Sequence, residues 1–377
     1  MTVRRGTFDR ESGFTITELI VSTAIMLVVT GAIFSLVNPA QGSGQAQPEV
    51  ADVQQRMRVG NETLFKEIVM AGAGTYQGPV RGSLNNFFAP VLPRRTGFTS
   101  PDSYTTFRTD AITLVYVPNT YSQTSISSDM PNVSAELKVT PQSNCPQGEQ
   151  LCGFSEGMGV LIFDSNGNFD AFTITQVQDN AGHLQHRGQD LSVPYDIGAS
   201  ITQVVSNTYW LDRTTHQLKQ YDGYSTDVPL VDNVVDLRFA YFGDVNPPTA
   251  PRPLIGTANC IFDASGNNLL PTLTADEGSL TALSGAMLTD GPWCGGGTNR
   301  YDADLLRIRK IRITLRLQAA KPEMRAKDTG GVSAPACNSA PYSGLFMCPG
   351  SASGGERFIP DYTVTFDVSP RNLNLTR

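Results

Sequence analysis

One carboxylate stands out by its surroundings. Glu18 is the sole charge in the apolar run Phe14 to Val37, FTITELIVSTAIMLVVTGAIFSLV. A carboxylate inside a membrane helix costs about 2.5–3.5 kcal/mol even on insertion scales, so such a residue marks a function. Glu18 follows Phe14 by about one helical turn. If the chain were cut between Gly13 and Phe14, the new amine of Phe14 would be a cation at nearly the same depth. The Glu18 of a neighbouring subunit could neutralise that amine and fix the axial register between subunits. Low dielectric strengthens the attraction, and desolvation offsets much of it. A plain single-pass anchor with Glu18 near the interface accounts for the glutamate equally well.

Other residue types that could do chemistry lead to blander readings. Six cysteines, Cys145, Cys152, Cys260, Cys294, Cys337 and Cys348, contain no CxxC. An even count of this kind suggests disulfides made in an oxidising compartment, with the connectivity open. Pairs of sequence neighbours are expected, Cys145–Cys152, Cys260–Cys294 and Cys337–Cys348, because each brackets a Gly/Pro/Ser-rich loop. His183 and His186 have an i, i+3 spacing, but their surroundings read as a loop and no third ligand is evident, so surface histidines are expected. Asp164, Asn166, Asn168 and Asp170 alternate like the start of a calcium loop. Phe169 and Thr175 occupy the positions where an EF-hand needs glycine and glutamate, so a turn is expected. Arg307, Arg309, Lys310, Arg312 and Arg316 form a basic stripe that either meets phosphates or pairs with acids elsewhere in the chain. No GxSxG, HExxH or Walker A pattern occurs, so neither an enzyme nor a bound cofactor or metal is expected.

The elements that must position Glu18 come next. At about 1.5 Å per residue, the Phe14–Val37 run makes a helix about 36 Å long. That length crosses a hydrocarbon core of about 30 Å. Arg4, Arg5 and Arg10 precede it and place residues 1–13 on the cytoplasmic side, with the rest of the chain outside. An ordinary secretory signal is cut after its apolar stretch at small residues. The sequence NPAQGSGQAQP that follows offers no such site, so the helix should be retained and any cut should fall at Gly13-Phe14. Residues 38–48 hold two prolines and two glycines, which predicts a kinked or melted link. From 49 to 74 an amphipathic helix returns. Val50, Val53, Met57, Gly60, Leu64, Ile68 and Ala71 form one stripe, widened by Phe65 and Val69, that should pack on a sheet of the same chain.

The string Gly13-Phe14-Thr15-Ile16-Thr17-Glu18-Leu19-Ile20-Val21 closely resembles the class III signal of type IV prepilins and type II secretion pseudopilins. In that family a glycine ends the leader, phenylalanine follows, the fifth mature residue is glutamate, and an apolar helix continues. Thr17 replaces the usual apolar residue at the fourth mature position. The resemblance implies cleavage after Gly13 by a prepilin peptidase, N-methylation of Phe14 and a register role for Glu18. It implies partners as well: other pilin subunits, the membrane and an inner-membrane pilus assembly platform. The implied location is the inner membrane with a periplasmic head, then a pilus or pseudopilus. Chain length, the helix ending MAGAG and the late segments VVDLRFAYF and IRKIRITLRLQ are similar to PilW-type minor pilins, which prime assembly and sit at or near the pilus tip.

Beyond residue 74 the chain, with its 35 glycines and 24 prolines, reads as a β-rich head covering 75–377. Strands are expected at 111–117, 159–163, 171–177, 201–211, 217–221, 234–242, 311–317 and 362–368, with an Asn166-Gly167 hairpin. The fold class is therefore α+β and pilin-like: a long N-terminal helix packed on antiparallel sheet. Segments 142–157, 247–300 and 321–357 lack periodicity and read as disulfide-clipped loops carrying recognition or mobility. A formal net charge of -7 argues against general nucleic-acid binding. Two further roles stay open at this point: a pseudopilin of a type II secretion system, and a fibre-tip module contacting DNA, glycans or surfaces.

Overall fold

A computed structural model describes residues 13–75, 82–118, 122–143, 145–321, 359 and 361–374, without the side chains of 36–45. The chain is α+β. One helix, α1, runs from Ile16 to Met70 and precedes antiparallel sheets. The helix is unbroken through 38–48, so of the kinked or melted link expected there the melted form does not occur. A proline inside a helix removes one backbone donor and crowds one carbonyl. Here the helical turns on both sides carry the backbone across Pro39 and Pro48.

The second half of α1 is amphipathic as its spacing requires. Val53, Met57, Gly60, Leu64, Ile68 and Ala71 are buried. Val69 packs against their core from a partly buried position. Phe65 departs from expectation: it is 51% exposed, on the flank of the stripe turned away from the sheets. The helix ends at Gly72, whose φ of 77° suits a residue without a Cβ. There the Gly72 N–H leaves the helix pattern and donates to Val115 O (3.0 Å), stitching the helix end to a strand.

Two sheets receive this helix. A five-stranded sheet has the order Val91–Leu92, Ala111–Tyr116, Val205–Asp212, Gln217–Tyr221, Asp227–Asp232. A four-stranded sheet has the order Leu280–Leu283, Val234–Asp244, Ile308–Leu317, Tyr362–Val368. α1 crosses the seam between them. A Cβ built on Gly60 would lie 2.9 Å from Leu315 of one sheet and 3.4 Å from Val231 of the other. The Arg56 guanidinium donates to Asp232 O (2.9 Å), and Glu67 accepts from the Tyr116 hydroxyl (3.2 Å). Ile308–Leu317 alternates as predicted, with Ile311, Ile313, Leu315 and Leu317 buried.

Between Tyr116 and Val205, residues that face each other across one ladder, the chain inserts a separate lobe. Its four-stranded sheet has the order Gln123–Ser125, Ser200–Gln203, Gly159–Phe163, Phe169–Thr173. The expected strand 201–211 is thus two strands. It divides at Val204, and its halves belong to the lobe and to the main sheet. The Gly159–Phe163 strand is buried on both faces. Val160 and Ile162 enter the core of the lobe, while Leu161 and Phe163 enter the main core. The hairpin at Asn166-Gly167 forms as its turn residues require, with Gly167 at φ 91°.

Candidate functional site

Gly13 and Phe14 are extended and exposed just ahead of α1, with Phe14 85% exposed. Thr15 is the N-cap. The Glu18 carboxylate accepts from the Thr15 N–H (2.9 Å) and from its hydroxyl (2.7 Å), and the Glu18 N–H donates to the Thr15 hydroxyl (3.3 Å). This is a capping box, which satisfies two donors that the helix itself leaves free. The acid also sits in the first turn, where the helix dipole favours negative charge. Glu18 is therefore held against the first turn, bonded to Thr15, the residue that follows Phe14.

From Ile16 to Ser35 no described part of the head covers the helix. The segment Ile16–Ser35 has mean hydropathy 2.0 and is long and apolar enough to cross a membrane by length and composition, as a signal sequence also is. None of it is buried against the rest of the chain. Monomeric soluble proteins rarely expose contiguous apolar patches beyond a few hundred Å². Two hydroxyls within the segment are satisfied by the helix itself. Thr23 donates to Leu19 O (2.9 Å) and Ser35 to Ala32 O (2.8 Å), which lowers the cost of holding them in an apolar setting. One helix thus joins an uncovered apolar half to a half packed on the head.

No protein-family model, no curated protein and no solved structure matches this chain.

The remaining candidate residues fall into place separately. Cys145–Cys152 and Cys260–Cys294 are disulfides, with Cα–Cα separations of 5.5 and 5.1 Å. Cys337 and Cys348 lie outside the described residues. The 247–300 segment is more ordered than a bare loop, since it contributes Leu280–Leu283 to the four-stranded sheet. His183 and His186 belong to a strand and its end, not to a surface loop, and His186 is buried. Both ring nitrogens of His186 lie against main-chain carbonyls, Gln189 O (2.6 Å) and Ala135 O (2.7 Å). His183 meets Glu136 at 3.0 Å. The two rings therefore do not form a joint metal site. The Asp164 carboxylate is taken up by donors of its own turn, the N–H groups of Asn166 (2.8 Å) and Asn168 (3.0 Å).

Four of the five cations in the basic stripe are paired with carboxylates, and Arg309 donates to the carbonyls of Leu306 and Ile308. Arg307 is fully buried, bonds the Asp304 carboxylate and donates to Val245 O (3.1 Å). Lys310 and Arg312 meet Glu277 and Asp367 (2.7–3.2 Å), and Arg316 meets Asp361. Arg312 and Lys310 hold the Asp367 carboxyl down to about 2. Cations spent on carboxylates in this way are poor phosphate ligands. Asp170, expected with Asp164 in a turn, is instead a buried strand acid that gathers donors from Ser192, Tyr195 and Asn299. No motif announces that role, because those donors are spread over more than a hundred residues of chain.

Proposed function

We propose that this chain is a prepilin-like subunit, built into a type IV pilus-like fibre as a structural and assembly component. A prepilin peptidase would hydrolyse the Gly13–Phe14 bond, and the new Phe14 amine would be N-methylated. The observation that carries the reading is the juxtaposition of Gly13-Phe14 and Glu18 at the free tip of an uncovered apolar helix. Its distal half is locked onto a folded head. Before assembly the apolar half rests in the bilayer. In the fibre it packs against the same half of other subunits, and the acid of one meets the amine of the next. The head stays on the far side of the membrane from the leader, where the disulfides can form. The likeness to PilW-type minor pilins favours a place at or near the fibre tip.

The test is the intact mass of the subunit extracted from its native membrane. The expected species begins at Phe14 and carries one added methyl group. A chain that still begins at Met1, or one cut after the apolar helix as an ordinary secretory signal would be, overturns the reading.

A further inference from the structure

Between the inserted lobe and the five-stranded sheet lies an open cavity of about 400 Å³. Small-ligand sites span about 300–1,000 Å³. Its walls come chiefly from residues 96–98, 169–171, 190–192, 223–224 and 297–299, brought together from distant parts of the chain.

These walls are built in advance. The rings of Phe98 and Tyr224 stack, with centroids 5.6 Å apart and an interplanar angle of 24°. Their loops are laced together. The Phe98 N–H donates to Gly223 O (2.9 Å), and the Thr99 hydroxyl donates to Tyr224 O (2.9 Å). Gly97 and Gly223 both have positive φ, and a Cβ on Gly97 would fall 2.4 Å from Gly223 O, so the two backbones touch directly. The Tyr224 hydroxyl reaches the lobe and donates to Phe172 O (3.2 Å). On the facing wall the buried Asp170 carboxylate accepts from the Ser192 N–H and hydroxyl (2.9 Å each). It also accepts from the Tyr195 hydroxyl (2.8 Å) and the Asn299 amide (2.6 Å).

What faces the cavity uncommitted is polar. Among the described residues, the Asp190 carboxylate and the hydroxyls of Thr96, Ser206 and Thr298 have no side-chain hydrogen bond. Among the described residues, no lysine or arginine lines the cavity. An anion would meet Asp190 with nothing to offset the repulsion. A purely apolar ligand would strand the acid and the hydroxyls away from water. An organic ammonium would call for several ring faces around it. Here Phe98 and Tyr224 are stacked as one pair, which offers a platform and not a cage, and one of the two acids is already committed to four donors. A sugar ring suits both walls. Its hydroxyls donate to Asp190 and exchange bonds with the threonine and serine hydroxyls, and its C–H face lies on the aromatic pair.

We propose that this cavity binds a neutral saccharide unit, with Asp190 accepting from ring hydroxyls and the Phe98–Tyr224 pair forming the apolar platform. The site would give a fibre-borne head a glycan contact, and its binding step does not depend on the N-terminal processing proposed above. The test is saturation-transfer NMR on the full chain in a detergent without a sugar headgroup. The probes are glucose, galactose, mannose and N-acetylglucosamine, with glucuronate and choline as the charged arms. Transfer to at least one neutral sugar is expected, with at least a tenfold loss of affinity in Asp190→Ala and in Thr298→Val. The melting temperature should stay unchanged in Asp190→Ala, since that side chain is exposed and unpartnered. The proposal is overturned if no neutral sugar shows transfer, if both variants bind as the parent does, or if only choline or glucuronate binds.

Discussion

Asp302 has no exposed surface, and its carboxylate accepts from the N–H groups of Gly291 (2.6 Å) and Asp304 (2.9 Å). Burial pushes its pKa up to about 6, helped by the nearby charges of Asp304 and Asp290 and opposed by those two bonds. The folded state therefore holds this proton more tightly than the unfolded chain does. Folding takes the proton up between pH 6 and the ordinary aspartate range near 4, so the contribution of Asp302 to stability grows as pH falls through that window. In urea titrations from pH 7 to pH 4, Asp302→Asn should show a shallower rise than the parent. Parallel curves would mean that Asp302 does not titrate there. Residues differ in how far the sequence exposes them. The four paired cysteines are legible because their meaning is local: a thiol bracketing a turn-rich loop. Asp170 and Asp302 are not, since an acid of ordinary type acquires its role only from its surroundings. For Asp170 these include a donor 129 positions away.

At the scale of elements, periodicity located the buried stripe of α1 and most strands, because burial imposes a period of 3.6 or 2 on the chain. It could not say where the stripe ends sideways, and so placed Phe65 inside. Nor could it divide 201–211, since an alternating pattern looks the same whether it stays in one sheet or passes to another at Val204. At 38–48 two prolines and two glycines allowed a kinked or a melted link, and the backbone there is helical, not melted. Gly60 offers a direct test of how α1 sits on the seam. Gly60→Val would push branched methyls toward Leu315 and Val231, where even a Cβ is at 2.9 and 3.4 Å. The small gain in helix propensity does not offset overpacking, which costs about 1–3 kcal/mol. A lowered melting temperature is expected, and an unchanged one would show that the helix stands further from the sheets.

The molecule as a whole has two cores, a large one under the helix and a smaller one inside the lobe, each tied by one of the described disulfides nearby. The two clips close loops of very different length, with separations of 7 and 34 residues. Loop-closure entropy assigns about 2–3 kcal/mol to the short clip and about 4 kcal/mol to the long one. Chemical denaturation of the paired Cys→Ala variants should therefore show the greater loss for Cys260 and Cys294, and the reverse order would point to native contacts instead of loop closure. The position of the lobe carries a mechanical meaning. It enters after Tyr116 and leaves before Val205, two residues paired side by side. A pull applied along the main sheet would cross from one of these residues to the other through the ladder that pairs them. The lobe stands beside that path and still shares its load-free side with the body, since Leu161, Phe163 and Phe169 pack into the main core.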